Sequence, residues 1–223
     1  MASLNIAAGD LVDNPTPRVP VSLCLDTSSS MAGSPIEELV RGINLFYDAI
    51  DEDDDAHDSA EINIVEFNSL AAVVHDFANI ERLQRVSAMN ARGTTAMGAG
   101  VNLALDTLDA RKATYSASGV LYYQPWLVLM TDGAPTDDIN GAAKRVGDMV
   151  SAGKLTVFPI GIGGADMSTL ARFSPNRPPL RLEGLKFKEF FEWLSKSVAR
   201  VSRSTPGDRV KLDLEGLAGW AEL

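Results

Sequence analysis

The stretch Val19-Pro20-Val21-Ser22-Leu23-Cys24-Leu25-Asp26-Thr27-Ser28-Ser29-Ser30 decides how this chain is read. Apolar residues run almost unbroken from Val19 to Leu25, as in a short strand covered on both faces, and stop at Asp26. A strand that ends in Asp-x-Ser-x-Ser brings one carboxylate and two hydroxyls to the carboxyl edge of a sheet. Taken alone, an aspartate followed by serines at a strand end also reads as a turn and helix cap. As ligands, these hard oxygens suit Mg²⁺ or Mn²⁺ rather than zinc or copper.

Outward from this stretch, strands and helices alternate. Ser34-Pro35-Ile36-Glu37 opens a helix, with Ser34 as its cap, Pro35 in its first turn and acids at its positive end. Ile36, Leu39, Val40, Ile43, Phe46, Tyr47 and Ile50 then recur at helical spacing. Glu61–Phe67 and Leu70–Phe77 read as a hairpin joined at Asn68-Ser69. A short helical piece at Ile80–Val86 leads to Arg92-Gly93-Thr94-Thr95, and a helix runs from Gly98 through Leu108. Tyr115–Tyr123 reads as a polar excursion. Trp126–Met130 and Leu155–Ile162 are strands, Asp137–Ala152 and Asp166–Phe173 helices, and Leu180–Leu182 an edge strand. Lys186–Val201 is an amphipathic helix. The expected fold is α/β, with a mostly parallel central sheet, one antiparallel edge strand and helices on both faces. The expected division is an N-terminal arm at 1–17, a domain at 18–202 and a tail at 203–223 that packs on the domain or contacts a partner.

The 223 residues suffice for one well-filled α/β domain. A net charge of −10 disfavours nonspecific binding to nucleic acid or an anionic membrane and favours divalent cations. The single cysteine, Cys24, excludes an intramolecular disulfide and fits a reducing compartment. No basic start leads into an apolar stretch, and no apolar run approaches the ~20 residues that span a bilayer. A cytoplasmic location is therefore expected.

Three loops carry oxygen donors to the carboxyl edge of such a sheet, where ligands of open α/β folds collect. The first supplies Asp26, Ser28 and Ser30, the second Thr95 with Thr94 beside it, and the third Asp132, directly after a buried strand. A Mg²⁺ ion takes about six ligands and keeps several waters. With only two carboxylates, the ion stays electrophilic and can accept an acidic side chain from a partner. That is binding chemistry rather than hydrolysis.

The order Asp26-x-Ser28-x-Ser30, a threonine in Gly93-Thr94-Thr95-Ala96-Met97-Gly98, then Thr131-Asp132-Gly133 resembles the von Willebrand factor type A (VWA) domain and its metal-ion-dependent adhesion site, or MIDAS. The match covers Arg18–Arg200, and Val157–Gly163 is similar to a late strand of that family. The resemblance implies a single Rossmann-like domain in which Ser28, Ser30 and Thr95 bind the ion directly, while Asp26 and Asp132 hold it mostly through water. Thr94 competes for the Thr95 role, although the spacing to Gly98, Gly100 and Val101 favours Thr95. Ser29 stands where glycine is usual, which the loop tolerates if its backbone needs no positive φ.

Within the family, the segment Asp208-Arg209-Val210-Lys211-Leu212 with Gly219-Trp220 resembles the bacterial TerY-like group. That group is linked to tellurium resistance and stress response, and occurs with a protein kinase and a PP2C-type phosphatase. The resemblance implies a non-enzymatic, metal-binding protein–protein interaction module. The alternatives are a metal-dependent phosphohydrolase and a VWA partner of an ATPase chaperone or chelatase.

Other chemistries fit less well. A haloacid-dehalogenase-type site needs an aspartate where Ser28 stands, no Gly-x-Gly-x-x-Gly follows the first strand, and no Gly-Lys-Ser/Thr loop occurs. The run Asp51–Asp58 has Ala56 where a calcium loop needs glycine and Ile62 where it needs glutamate, so it reads as a solvated connection. His57 and His75 lack a paired nucleophile, and Trp126 and Trp193 read as core aromatics. Trp220 either docks on the domain or faces a partner.

Overall fold

The computed structural model describes Leu11, residues 14–207, Val210 and residues 221–222. Its strands are β1 (Val19–Asp26), β2 (Ala60–Phe67), β3 (Ala71–Asn79), β4 (Trp126–Thr131), β5 (Thr156–Ile162), β6 (Leu180–Leu182) and β7 (Ala221–Glu222). Its helices are α1 (Ser34–Asp51), α2 (Asp54–Ser59), α3 (Met97–Ser118), α4 (Asn140–Ser151), α5 (Met167–Ala171) and α6 (Phe187–Ser202). They form one sheet in the order β3-β2-β1-β4-β5-β6-β7.

The strands β2, β1, β4, β5 and β6 run parallel, and β3 returns antiparallel on β2 as a hairpin strand. The expected mostly parallel sheet with an antiparallel edge is therefore present. At its other edge the two-residue β7 adds a second antiparallel pair, Arg181 with Glu222 and Leu182 with Ala221.

Alternation along the central strands divides the core in two. Val19, Val21, Leu23 and Leu25 pack with Ile43 and Phe46 of α1 and with Phe187, Phe190 and Phe191 of α6. Cys24, Leu127 and Leu129 face the other layer, with Val101 and Leu105 of α3, Val146 of α4 and Leu170 of α5. Trp126 and Trp193 both flank Phe158, with ring centroids 5.4 and 5.5 Å away, so they are core aromatics as expected. Burial of both sheet faces fixes the strands, leaving the loops at their carboxyl ends to carry function.

Several segments differ from the sequence reading. Ser34 lies inside α1 rather than capping it, since Gly33 holds the cap position with no side-chain bond. Strand β6 is not an edge strand, because β7 pairs outside it. The acidic run is not simply a solvated connection: it holds α2, whose start is capped by Asp53 Oδ1 accepting from the Ala56 amide at 3.1 Å, while Ala56 itself is buried. Helix α3 extends past Leu108 to Ser118, into the first part of the supposed polar excursion, because Arg111 and Tyr115 turn inward to Glu61. Only Ile80–Arg82 is helical in the Ile80–Val86 piece, as a 3-10 turn. Most of the N-terminal arm, and the tail residues Asp208-Arg209, Lys211-Leu212 and Gly219-Trp220, lie outside the described residues.

Candidate metal site

All three donor loops meet at the carboxyl edge of β1, β2 and β4. Asp26 ends β1 and is fully buried. Its Oδ1 accepts from the Ser28 amide at 2.7 Å, and its Oδ2 accepts from the Thr131 hydroxyl at 2.5 Å. Ser28 and Ser30 hydroxyls lie 3.0 Å apart, and Ser30 Oγ donates to Asp132 Oδ1 at 2.7 Å. Asp26, Ser28, Ser30 and Asp132 thus form one hydrogen-bonded cluster spanning two loops. Its floor is buried (Asp26, Ser28), and Ser30 is exposed at its rim.

The second loop brings Thr95 to this cluster. Its side chain is 6% exposed, and its Oγ1 lies 3.8 Å from where a Cβ on Gly133 would stand, next to Asp132. Thr94 points elsewhere: it is exposed and its hydroxyl donates to Ser69 Oγ at 3.3 Å. The geometry therefore sets Thr95, not Thr94, beside the Asp132 loop. Gly93 makes this turn possible, since its φ is +72° and a Cβ there would stand 2.3 Å from Ser69 Oγ. No described residue other than glycine has positive φ, so Ser29 is accommodated without strain.

Hydrogen bonds tie the loops to one another. Thr27 N donates to Phe67 O at 2.8 Å, Arg92 N to Thr27 O at 2.8 Å, Ser29 N to Gly93 O at 3.2 Å and Ala96 N to Asn68 O at 2.7 Å. Asn68 Nδ2 adds a bond to Thr27 Oγ1 at 3.1 Å. Sequence reasoning gave Asn68 only a turn role and gave Thr131 none. The position of Thr131 directly before Asp132 was the available clue, but its link to Asp26 crosses the sheet.

Burial raises the Asp26 pKa above the ordinary carboxylate range. Hydrogen bonds from Ser28 and Thr131 oppose that shift, and the nearby Asp132 adds to it. A buried, hydroxyl-flanked carboxylate next to a second acid is a setting that a cation would relieve. The donor set consists of carboxylate and hydroxyl oxygens, and no three His, Cys, Asp or Glu side chains converge among the described residues. This chemistry fits a hard divalent ion. Elsewhere, His57 sits among Asp51, Asp58 and Glu81, and His75 lies on the edge strand β3, with burial lowering its pKa.

An open α/β sheet with hydroxyl-rich donor loops at its carboxyl edge defines the class of protein. Residues 21–192 match the model of the von Willebrand factor type A domain, and the chain belongs to that family. VWA domains are protein-interaction modules, often metal-dependent through a MIDAS, and are generally non-enzymatic. An uncharacterized protein of Synechocystis sp. is 26% identical over 166 residues, covering 72% of this chain and 36% of that protein. The pilus adhesin SpaC of Lactobacillus rhamnosus GG superposes with a TM-score of 0.67 at 14% identity, over 83% of this chain and 31% of SpaC. Proximal thread matrix protein 1 of the mussel byssus, with a zinc-occupied MIDAS motif, gives 0.52 at 16% identity, over 82% of this chain and 48% of that one. The chain thus spans less than half the length of each of these proteins. Among the described residues no helix is long and apolar enough to cross a membrane.

Proposed function

We propose that this chain is a non-enzymatic, divalent-cation-dependent protein-interaction module. Asp26, Ser28, Ser30, Thr95 and Asp132 hold Mg²⁺ or Mn²⁺, and a carboxylate from a protein partner completes the coordination. The observation that carries this reading is the cluster in which Ser28 and Ser30 link buried Asp26 to Asp132, with Thr95 beside it. The two carboxylates and three hydroxyls leave part of the ion's coordination of about six unfilled, so a further acid has a place to bind. The zinc held by the mussel protein's MIDAS adds support for a divalent ion, while the oxygen-only donors here favour the harder ions.

The finer reading sets the module in a tellurite-resistance or stress-response assembly, in the cytoplasm, with a kinase and a PP2C-type phosphatase. It rests on the TerY-like resemblance of the Asp208–Trp220 segment and on the lone thiol of Cys24.

The test is Mg²⁺ and Mn²⁺ titration of the protein by calorimetry, with capture of the kinase and the phosphatase in Mg²⁺ and in EDTA. Wild type binds cation, Asp132→Ala does not, and capture is lost in both EDTA and the variant. Equal cation binding by wild type and Asp132→Ala sinks the metal site. Capture that persists in EDTA moves recognition to another surface.

A further inference from the structure

The loop that carries Asp132 does not end its work there. Four residues on, Thr136 and the Thr95 backbone exchange hydrogen bonds: Thr136 N donates to Thr95 O at 2.8 Å, and Thr95 N donates to Thr136 Oγ1 at 3.1 Å. The next residue, Asp137, accepts from Gly98 N at 3.0 Å through Oδ1 and from Ala99 N at 2.8 Å through Oδ2. These amides belong to the first turn of α3, whose own preceding residue, Ala96, offers no side-chain cap. The unsatisfied donors of a helix start are normally met by a residue just before it in sequence. Here they are met by a carboxylate from a loop some forty residues later.

The contact also fixes a residue identity. A Cβ on Gly98 would stand 2.4 Å from Asp138 O and 3.0 Å from Asp137 Oδ2, so only glycine lets the two segments close. The consequence falls on the site, because Thr95 and Asp132 come from segments that share no hairpin or strand pairing. The bonds made by Thr136 and Asp137 join the two segments directly, whereas the serine loop links them only through intermediate residues.

We propose that Thr136 and Asp137 are positioning residues for the cation site. Together they clamp the β4–α4 loop to the start of α3, so that the Thr95 hydroxyl and the Asp132 carboxylate are presented in one geometry before any ion arrives. The inference rests on the metal-site reading above and adds two residues that touch neither the ion nor the partner. Outer partners that orient ligands of a metal typically change affinity by about 10–100-fold when removed.

The test measures Mn²⁺ affinity by calorimetry alongside unfolding in EDTA, for wild type, Thr136→Val, Thr136→Ser, Asp137→Ala, Asp137→Asn and Asp53→Ala. Asp53 caps α2 at the amino edge of the sheet, away from the site, and so controls for the general cost of losing a cap. Thr136→Val and Asp137→Ala are expected to lose about tenfold or more in affinity. Thr136→Ser and Asp137→Asn keep an acceptor in place and stay within a few-fold of wild type, and Asp53→Ala keeps wild-type affinity while losing stability. Unchanged affinity in Thr136→Val and Asp137→Ala overturns the clamp, as does an equal loss in Asp53→Ala. If wild type itself binds no Mn²⁺, the metal-site reading falls first and takes this inference with it. Should Asp137→Ala fail to fold, the contrast between Thr136→Val and Thr136→Ser decides alone.

Discussion

At the carboxyl edge of the sheet, buried Asp26 receives two hydrogen bonds and faces a second acid, Asp132, through the serines. At the amino edge, equally buried Glu61 is surrounded by cations. Arg111 donates to both its oxygens at 2.6 and 2.7 Å, Arg18 adds a bond at 3.2 Å, and the Tyr115 hydroxyl donates at 2.6 Å. Arg18 also donates to the carbonyls of Asn14, Thr16 and Asp58, so the cluster joins the start of β1, the start of β2 and the far end of α3. Burial works against the Arg111 charge, but the hydrogen bonds and charge of Glu61 outweigh it and hold that guanidinium above its ordinary pKa. The same burial and the Glu61 charge push the Tyr115 phenol up. One edge is thus internally compensated. The other sets two acids side by side, a charge that a bound cation would balance under the proposed function.

The difference teaches where stability and where binding reside. Both ends of α3 are anchored, the start by Asp137 and the end by Arg111 and Tyr115, yet the two anchors should respond differently to substitution. Glu61→Ala leaves two guanidinium groups buried without their carboxylate, and the expected cost is about 3–5 kcal/mol. Denaturant unfolding in EDTA measures it, and the fraction still folded should bind Mn²⁺ as wild type does. A cost below about 1 kcal/mol, the scale of an exposed pair, would mean that the cluster does not hold the amino edge together. Tyr115→Phe is gentler. It removes one hydrogen bond to Glu61, whose other donors remain, so about 1–2 kcal/mol is expected with no change in cation affinity. If cation affinity instead tracked either substitution, the separation of the two edges would be broken and α3 would couple them.

Much of this architecture was legible from the chain. The apolar run before Asp26 gave β1, and helical periodicity from Ile36 to Ile50 gave α1. Asp26 and Asp132 each sat at the end of a parallel strand, so their meeting followed from the topology of the sheet, whereas Thr95, before α3, was placed by the family resemblance. What escaped depends on partners distant in sequence. Tyr115 and the serines after it look like a loop until Glu61, 54 residues earlier, is seen to draw the tyrosine inward. Thr94 and Thr95 are adjacent and chemically alike; spacing already favoured Thr95, and the structure adds that Ser69, from the hairpin turn, holds Thr94 away. Asp137 read as the start of its own helix, when its carboxylate serves another. The α2 cap is a different case: Asp53 and Ala56 stand at ordinary capping distance, and the density of acids hid a helix start that local rules could have found.

The carboxyl edge itself offers the finest contrast, between two aspartates whose protons it treats in opposite ways. Asp166 follows β5 and starts α5, and its carboxylate accepts from the hydroxyls of Ser168 and Thr169, both at 2.6 Å, and from their amides at 3.0 and 3.2 Å. These bonds, from Ser168 first and then Thr169, lower its pKa to about 2, whereas burial moves Asp26 upward. For Asp166 the folded value lies below the unfolded one of about 3.9, so folding favours the ionised form. Its contribution to stability is therefore complete above about pH 4 and is lost as pH falls toward about 2. A carbon-detected NMR titration in EDTA should show the Asp166 carboxyl still ionised at pH 3, with the Ser168 and Thr169 amide shifts moving only below that. A midpoint near 4 for Asp166 would mean that its four donors do not hold the carboxylate in solution. The charge at this edge would then be set by solvent exposure alone, and the burial of Asp26, rather than the pattern of donors around it, would be what distinguishes the candidate metal site from an ordinary helix cap.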